Sequence, residues 1–387
     1  MVSLRKHHSK INPICKGENN MKYFEKYKSN TLAGISNQSL FETDNKDCEY
    51  TGRAFYRLFA GGTYNYSFLF SNMTDSSYRG ISEANEAGES WTILDMGVCI
   101  VKTPENPTDQ NAFADIEIPE MHQVTFGGNE KRTVKPGEFF TSDEVEISAE
   151  KGDFLCVEIT FKGTKIPFHD EGRIPCYVYE DGKFVPNKRM PLPNMIGCER
   201  EVKGRVAFLG DSITQGIGAT FNSYNHWASL IAENIGEDYS FWNLGIGCAK
   251  AVDAATDGAW LFKAKQCDFV SLCLGVNDLI HAIDTEKIKK CLEITVKELK
   301  GAGVRVGIFT PFPFDLKDEK LTAWQDVCKY VREELSKECE YCFDTAEVLE
   351  SKEKPGEAPY GGHPNDEGCK LLAEKFCEYI KSIGFKL

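Results

Sequence analysis

The chain has 387 residues, 41% of them hydrophobic and 27% charged, with a net charge of −14 and a pI near 5.1. That length leaves room for two domains, and the composition is ordinary for a globular protein. The acidic balance argues against a nucleic-acid partner or an anionic membrane surface, and no run of about 18 apolar residues offers a bilayer span.

Taken in chain order, residues 1–45 are polar and without periodicity, and are read as an irregular N-terminal arm. Arg5, Lys6, His7 and His8 bring early charge, but no apolar run follows, so no secretory signal is recognised. The 15 cysteines lack metal-site spacing and suit a reducing, cytoplasmic compartment. Cys339 and Cys342 form an isolated C-x-x-C between a predicted helix end and a strand, and are read as structural. Residues 46–190 read as an all-β sandwich or jelly-roll domain. Strands are expected at Ala54–Phe59, Thr63–Ser71, Trp91–Lys102, His122–Phe126, Val145–Ala149 and Phe154–Lys162, separated by Gly, Asn, Asp and Pro clusters. Four prolines lie within 175–200, and residues 191–203 are taken as a connector. From 204 to 387 strands and helices alternate. Strands are expected near 205–209, 239–243, 268–274, 304–310 and 340–343, and helices near 223–236, 253–265, 285–301, 318–338 and 365–382. This pattern predicts a five-stranded parallel sheet with helices on both faces, flavodoxin-like, with too few strands for a (β/α)8 barrel.

The most informative stretch is Arg205-Val-Ala-Phe-Leu-Gly-Asp-Ser-Ile-Thr-Gln-Gly216. Its apolar run reads as a buried parallel strand that ends in a sharp turn. Ser212 therefore falls at the carboxyl edge of the sheet, where open α/β sheets bind ligands. A serine acts as a nucleophile only with a base in reach and donors for the oxyanion. Gly210-Asp-Ser-Ile213, Asn243-Leu-Gly-Ile-Gly247, Gly275-Val-Asn-Asp278 and His363-Pro-Asn365 stand in the order of the four blocks of the SGNH (GDSL-type) hydrolases, which residues 200–387 resemble. A β domain followed by such a domain is similar in order to carbohydrate esterase family 2, whose members remove acetyl groups from plant polysaccharides.

The resemblance implies that Ser212 is the nucleophile and His363 its base. It implies an oxyanion hole of the Ser212 N–H, an N–H from the 243–248 loop and the Asn277 amide. Asp211, Asp278 and His226 are read as structural, His281 as a pocket-lining residue and His169 as a rim residue. Two positions depart from the family. Tyr360 stands three residues before the histidine, where an Asp is usual, and a phenol carries no negative charge near neutral pH. His363 is then oriented either by a backbone carbonyl near Tyr360, as in a Ser-His dyad, or by Asp344 or Glu357. The second-block glycine is replaced by Cys248, which still serves through its N–H if its backbone angles permit, with Gly247 as the alternative donor. A thiol role for Cys248 is disfavoured, since nothing nearby in sequence lowers its pKa.

The expected activity is a serine esterase for short, acetyl-like esters, on oligosaccharides first, with no metal or organic cofactor. A lipase, lysophospholipase or thioesterase remains the alternative within the superfamily. A non-catalytic carbohydrate-binding protein remains the alternative outside it. The expected partner is a small-molecule or oligosaccharide ester, with homo-oligomerisation left open.

Overall fold

The computed structural model describes residues 18–80 and 83–386. Its N-terminal half is built of antiparallel strands in two main sheets. One runs Lys28–Ser29, Met195–Cys198, Gly62–Ser71 and Phe139–Thr141, with Val145–Ala149 also paired to Gly62–Ser71. The other runs Lys183–Pro186, Cys176–Glu180, Tyr50–Arg57, Phe154–Lys162, Trp91–Val101 and His122–Gln123, with Arg132–Val134 also on Trp91–Val101. Tyr66, Phe68 and Phe70 of the first sheet and Ala54, Tyr56, Leu155 and Val157 of the second are buried in one core, the alternation a sandwich requires.

Two expectations about the flanks need correction. Part of the supposed irregular arm is ordered. Glu18–Lys26 is helical, Lys28–Ser29 pairs with Met195–Cys198, and Ser39–Phe41 pairs with Ile166–Phe168. Residues 1–17 lie outside the described residues. The arm's polarity is that of buried chain whose side chains satisfy backbone groups. Asn30 donates to the Ala60 carbonyl at 3.0 Å and accepts from the Ala60 amide at 2.9 Å. The supposed connector 191–203 likewise supplies the sheet strand Met195–Cys198.

The C-terminal half holds β1 (Gly204–Gly210), β2 (Tyr239–Gly245), β3 (Phe269–Cys273), β4 (Arg305–Phe309) and β5 (Tyr341–Phe343), all parallel, in the order β2-β1-β3-β4-β5. Alternate side chains cover opposite faces. Val206 and Phe208 join Trp227 and Phe376 in one core, while Ala207 and Leu209 join Trp260, Leu292 and Val327 in another. Helices therefore lie on both faces, with Trp227–Ile235 and Asp366–Ser382 on the first and Thr285–Gly301 and Asp318–Glu333 on the second. The helix expected over 253–265 is instead two, Ala251–Ala255 and Ala259–Ala264, interrupted where Asp257 takes φ 51° before Gly258. The helix expected from 223 begins at Trp227, because Asn222 and Tyr224 have φ of 52° and 59°.

Candidate active site

β1, β2 and β3 deliver their carboxyl ends, Gly210, Gly245 and Cys273, to one edge of the sheet. Directly after β1, Asp211 caps the short helix Ser212–Gln215 by accepting from the Ile213 amide at 3.0 Å. Ser212 is thus the first helical residue rather than the cap, and its hydroxyl is left for another partner. That partner is His363, whose Nε2 lies 2.7 Å from Ser212 Oγ. His363 comes from the loop before helix Asp366–Ser382, which Asn365 caps through the Gly368 amide at 3.0 Å. Burial lowers the imidazole pKa from its ordinary value, and the charge of Glu171 acts in the opposite direction.

The loop after β2 is tied to the Ser212 turn. Ile246 N donates to Gly210 O at 3.1 Å, and Asn243 Nδ2 donates to Thr214 O at 3.1 Å. Cys248 in this loop has φ 60°, the left-handed conformation that a glycine would adopt freely. Burial raises its thiol pKa, so the sulfur is not an activated nucleophile at neutral pH. Asn277, on the first turn of helix Val276–His281 after β3, donates through Nδ2 to Ala249 O at 3.0 Å. Asp278 accepts from the Ala251 amide at 2.9 Å, and burial pushes its carboxyl up to about 6. Ser212 and His363 therefore form a hydrogen-bonded pair, with Gly247, Cys248 and Asn277 carried by the two turns on the same sheet edge.

Other expected residues lie elsewhere. Asp344 caps helix Thr345–Leu349 and pairs with Arg332 at 2.5 Å, and Glu357 pairs with Lys354 at 3.1 Å, so both carboxylates are engaged away from the imidazole. Tyr360 O accepts from Asn365 N at 3.0 Å. His281 is exposed at a helix end. His226 caps helix Trp227–Ile235 by accepting from Ser229 N at 3.3 Å, and burial pushes its pKa down to about 3. His169 is no rim residue: it is buried, with its pKa likewise pushed down to about 3.

Sequence reasoning missed a group of β-domain side chains. Glu171 pairs with Arg79 and accepts from Gln38 Nε2 at 3.0 Å. A Cβ on Gly247 would collide with the ends of both Glu171 and Gln38. Glu171 O accepts from Gln215 Nε2 at 2.7 Å, which joins the β domain to the Ser212 helix. From the other side the Phe314 ring meets the His363 ring edge-on at 5.2 Å between centroids. The charged run His169-Asp-Glu-Gly-Arg173 was the one sequence signal for this wall; Gln38 and Phe314 carried none.

Residues 208–371 match the model of the GDSL-like Lipase/Acylhydrolase family. No curated protein matches the chain. Solved structures with similarity to it include the acetyl xylan esterase AlAXEase, at 23% identity and TM-score 0.38 over 46% of this chain and 99% of that one. A carbohydrate acetylesterase family member from Sinorhizobium meliloti is 18% identical with TM-score 0.37, over 46% and 98%. A family two carbohydrate esterase from Cellvibrio japonicus is 13% identical with TM-score 0.36, over 92% and 96%.

Proposed function

We propose, from the premise that residues 208–371 form a GDSL-like lipase/acylhydrolase domain, that this carboxylic ester hydrolase is a serine esterase of short acyl groups working through Ser212 and His363. The observation that carries the reading is the 2.7 Å contact between Ser212 Oγ and His363 Nε2 at the carboxyl edge of the sheet. His363 takes the Ser212 proton as Oγ bonds to the ester carbonyl carbon. The carbonyl oxygen becomes an oxyanion and receives hydrogen bonds from the Ser212 amide, a Gly247 or Cys248 amide and Asn277 Nδ2. Collapse breaks the carbon–oxygen bond to the alcohol, which leaves with the proton from His363. Water, deprotonated by the same imidazole, then releases the acid and restores Ser212.

Asn277 Nδ2 carries two hydrogens, and the bond to Ala249 O uses one, which leaves the other for the oxyanion. Short acyl groups fit the character of the spaces nearby. The open hollow of about 640 Å³ on the Phe314 side of His363 is walled by the charged run Asp315–Lys320 and not by apolar side chains alone. A smaller, more apolar cavity of about 370 Å³ lies elsewhere, lined by Tyr239, Phe269, Tyr341 and Phe385. It opens at the amino ends of β2, β3 and β5, across the sheet from Ser212, so it offers no channel to an acyl chain on that serine. O-acetyl groups on oligosaccharides are the substrates this reading puts first.

The test is hydrolysis of p-nitrophenyl acetate, butyrate and octanoate by wild type and Ser212→Ala. Acetate is expected to be preferred, with kcat lowered about 10³-fold or more in the variant. The wild-type rate should fall as pH drops through an acid limb below 6.5, because the buried imidazole must be neutral to accept the proton. Activity that survives in Ser212→Ala, or a preference for octanoate, would overturn the proposal.

A further inference from the structure

An imidazole that becomes cationic during turnover is helped by a negative charge nearby. The usual position for that charge is occupied by Tyr360, and Asp344 and Glu357 are paired elsewhere. On the His363 side, Asp366 is bound to the Thr220 amide at 2.7 Å and to Asn225 at 2.9 Å, and Asp315 is bound to the Ala358 amide at 2.9 Å. Among the described residues, Glu171 of the β half brings a further carboxylate to this edge: its Oε2 sits against Gly247, its carbonyl holds Gln215 at 2.7 Å, and its charge favours the imidazolium.

Building on the serine-esterase reading, we propose that Glu171 is a positioning residue through which the β domain completes the catalytic apparatus. Its carboxylate supplies the negative charge that stabilises the His363 imidazolium, and it wedges the oxyanion loop against the nucleophile's helix. The side chain is built into place. Gln38 Nε2 donates to its Oε2 at 3.0 Å, its own amide donates to Gln38 Oε1 at 3.0 Å, and Arg79 pairs with its Oε1. Its carbonyl holds Gln215, three residues after the nucleophile, at 2.7 Å. Gly247 has no side chain where the Glu171 and Gln38 ends sit, so the loop and the carboxylate are in direct contact. Ser76 Oγ of the same β-domain wall donates to Gly247 O at 3.4 Å.

The surrounding charges set the sign of the test. Arg79, more than half exposed, attenuates the Glu171 charge from the solvent side. Asp170 lies next to it in the chain, with Tyr78 donating to that carboxylate at 3.3 Å. The Glu171 charge also reaches half-buried Lys188 and the Cys248 thiol. Removing the Glu171 charge should therefore destabilise the imidazolium, and removing the Arg79 charge should stabilise it.

The experiment is an NMR pH titration of the His363 imidazole in the full-length wild type, Glu171→Gln and Arg79→Met, run beside p-nitrophenyl acetate kinetics. Glu171→Gln keeps the side chain's size and a hydrogen-bonding end, so a merely structural role would leave the titration unmoved. The proposal expects the midpoint to fall by about half a unit to one unit in Glu171→Gln and to rise in Arg79→Met. The acid limb of kcat/KM should move the same way, and kcat in Glu171→Gln should fall about tenfold at little changed KM. An unmoved midpoint in both variants, or shifts of the opposite sign, would overturn it. The titration reads the imidazole directly, so it decides this inference even if the wild type hydrolyses no ester, an outcome that instead defeats the serine-esterase reading.

Discussion

At the scale of single residues, the site depends on a backbone conformation that its sequence does not advertise. Cys248 stands where a glycine is usual and holds φ 60°, at a cost of about 1–2 kcal/mol for a residue with a Cβ. Where Cys248 is the loop donor of the proposed oxyanion hole, what the position contributes is its N–H, which any residue that tolerates this φ supplies. Cys248→Gly should therefore keep kcat on p-nitrophenyl acetate within about threefold and leave the protein at least as stable. Cys248→Val is different, because a β-branched side chain at positive φ is strongly disfavoured. It should swing the peptide out of line and lower kcat about 10²-fold, the loss expected for one oxyanion donor. Full activity in Cys248→Val would remove this amide from the oxyanion hole. A kcat drop in Cys248→Gly would instead point to the sulfur, which faces Arg79.

At the scale of elements, the parallel sheet was legible because both of its faces are covered. Val206–Leu209 is a continuous apolar run and Phe269–Leu274 is one broken only by Ser271, and such runs followed by Gly turns locate strand ends to within a residue or two. Ser212 and Asn277 were legible for the same reason, each sitting just beyond such a run. His363 was legible from its motif and the cap that follows. The break in the helix expected over 253–265 was not, since the group that starts its second half comes from the β half, far away in sequence. Asn85 Oδ1 accepts from the Ala259 amide at 2.7 Å and starts the second helix from outside. Element contacts of this kind make a sharp contrast between two glycines. A Cβ on Gly245, at the end of β2, would fall on the backbone of Gln215 in the Ser212 helix. One on Gly301, at the end of helix Thr285–Gly301, meets open space. Gly245→Ala should cost several kcal/mol and most of the activity, because backbone cannot yield as a side-chain end can. Gly301→Ala should raise stability by about 0.5–1 kcal/mol. Denaturant melts of the two variants, with kcat beside them, check both; a near-neutral Gly245→Ala would mean the turn is free to shift.

At the scale of the whole molecule, Glu171, Gln38 and Arg79 were missed by sequence reasoning because their role exists only where two domains meet. Interdomain surfaces within a chain are commonly polar and mobile. This one contains Phe24 against Trp242 at 6.0 Å, Phe59 against Phe241 at 5.5 Å, and a Trp242 indole donating to Asn194 O at 3.0 Å. At its centre Lys263 of the hydrolase half pairs with Asp75 of the β half at 2.6 Å, both side chains fully buried. Asn37 N donates to the same carboxylate oxygen at 2.8 Å, and Asn194 Oδ1 receives Lys263 at 3.3 Å. Such a pair need not add net stability, but removing one partner strands the other charge and costs about 3–5 kcal/mol. Lys263→Met should therefore lower the free energy of unfolding by that amount in a single transition that melts both halves. The pH dependence has a definite sign. Burial raises the Asp75 pKa while Lys263 lowers it, so without the lysine the carboxyl's folded-state pKa rises further above its unfolded value. Deprotonation then opposes folding, and the variant's deficit should grow as pH rises from 5 to 8. Lys263→Met combined with Asp75→Leu leaves no buried charge and should recover most of the loss. Two separate unfolding transitions in Lys263→Met, with esterase activity surviving the first, would mean that the hydrolase half holds its site without the β domain and that Glu171 is not needed to complete it.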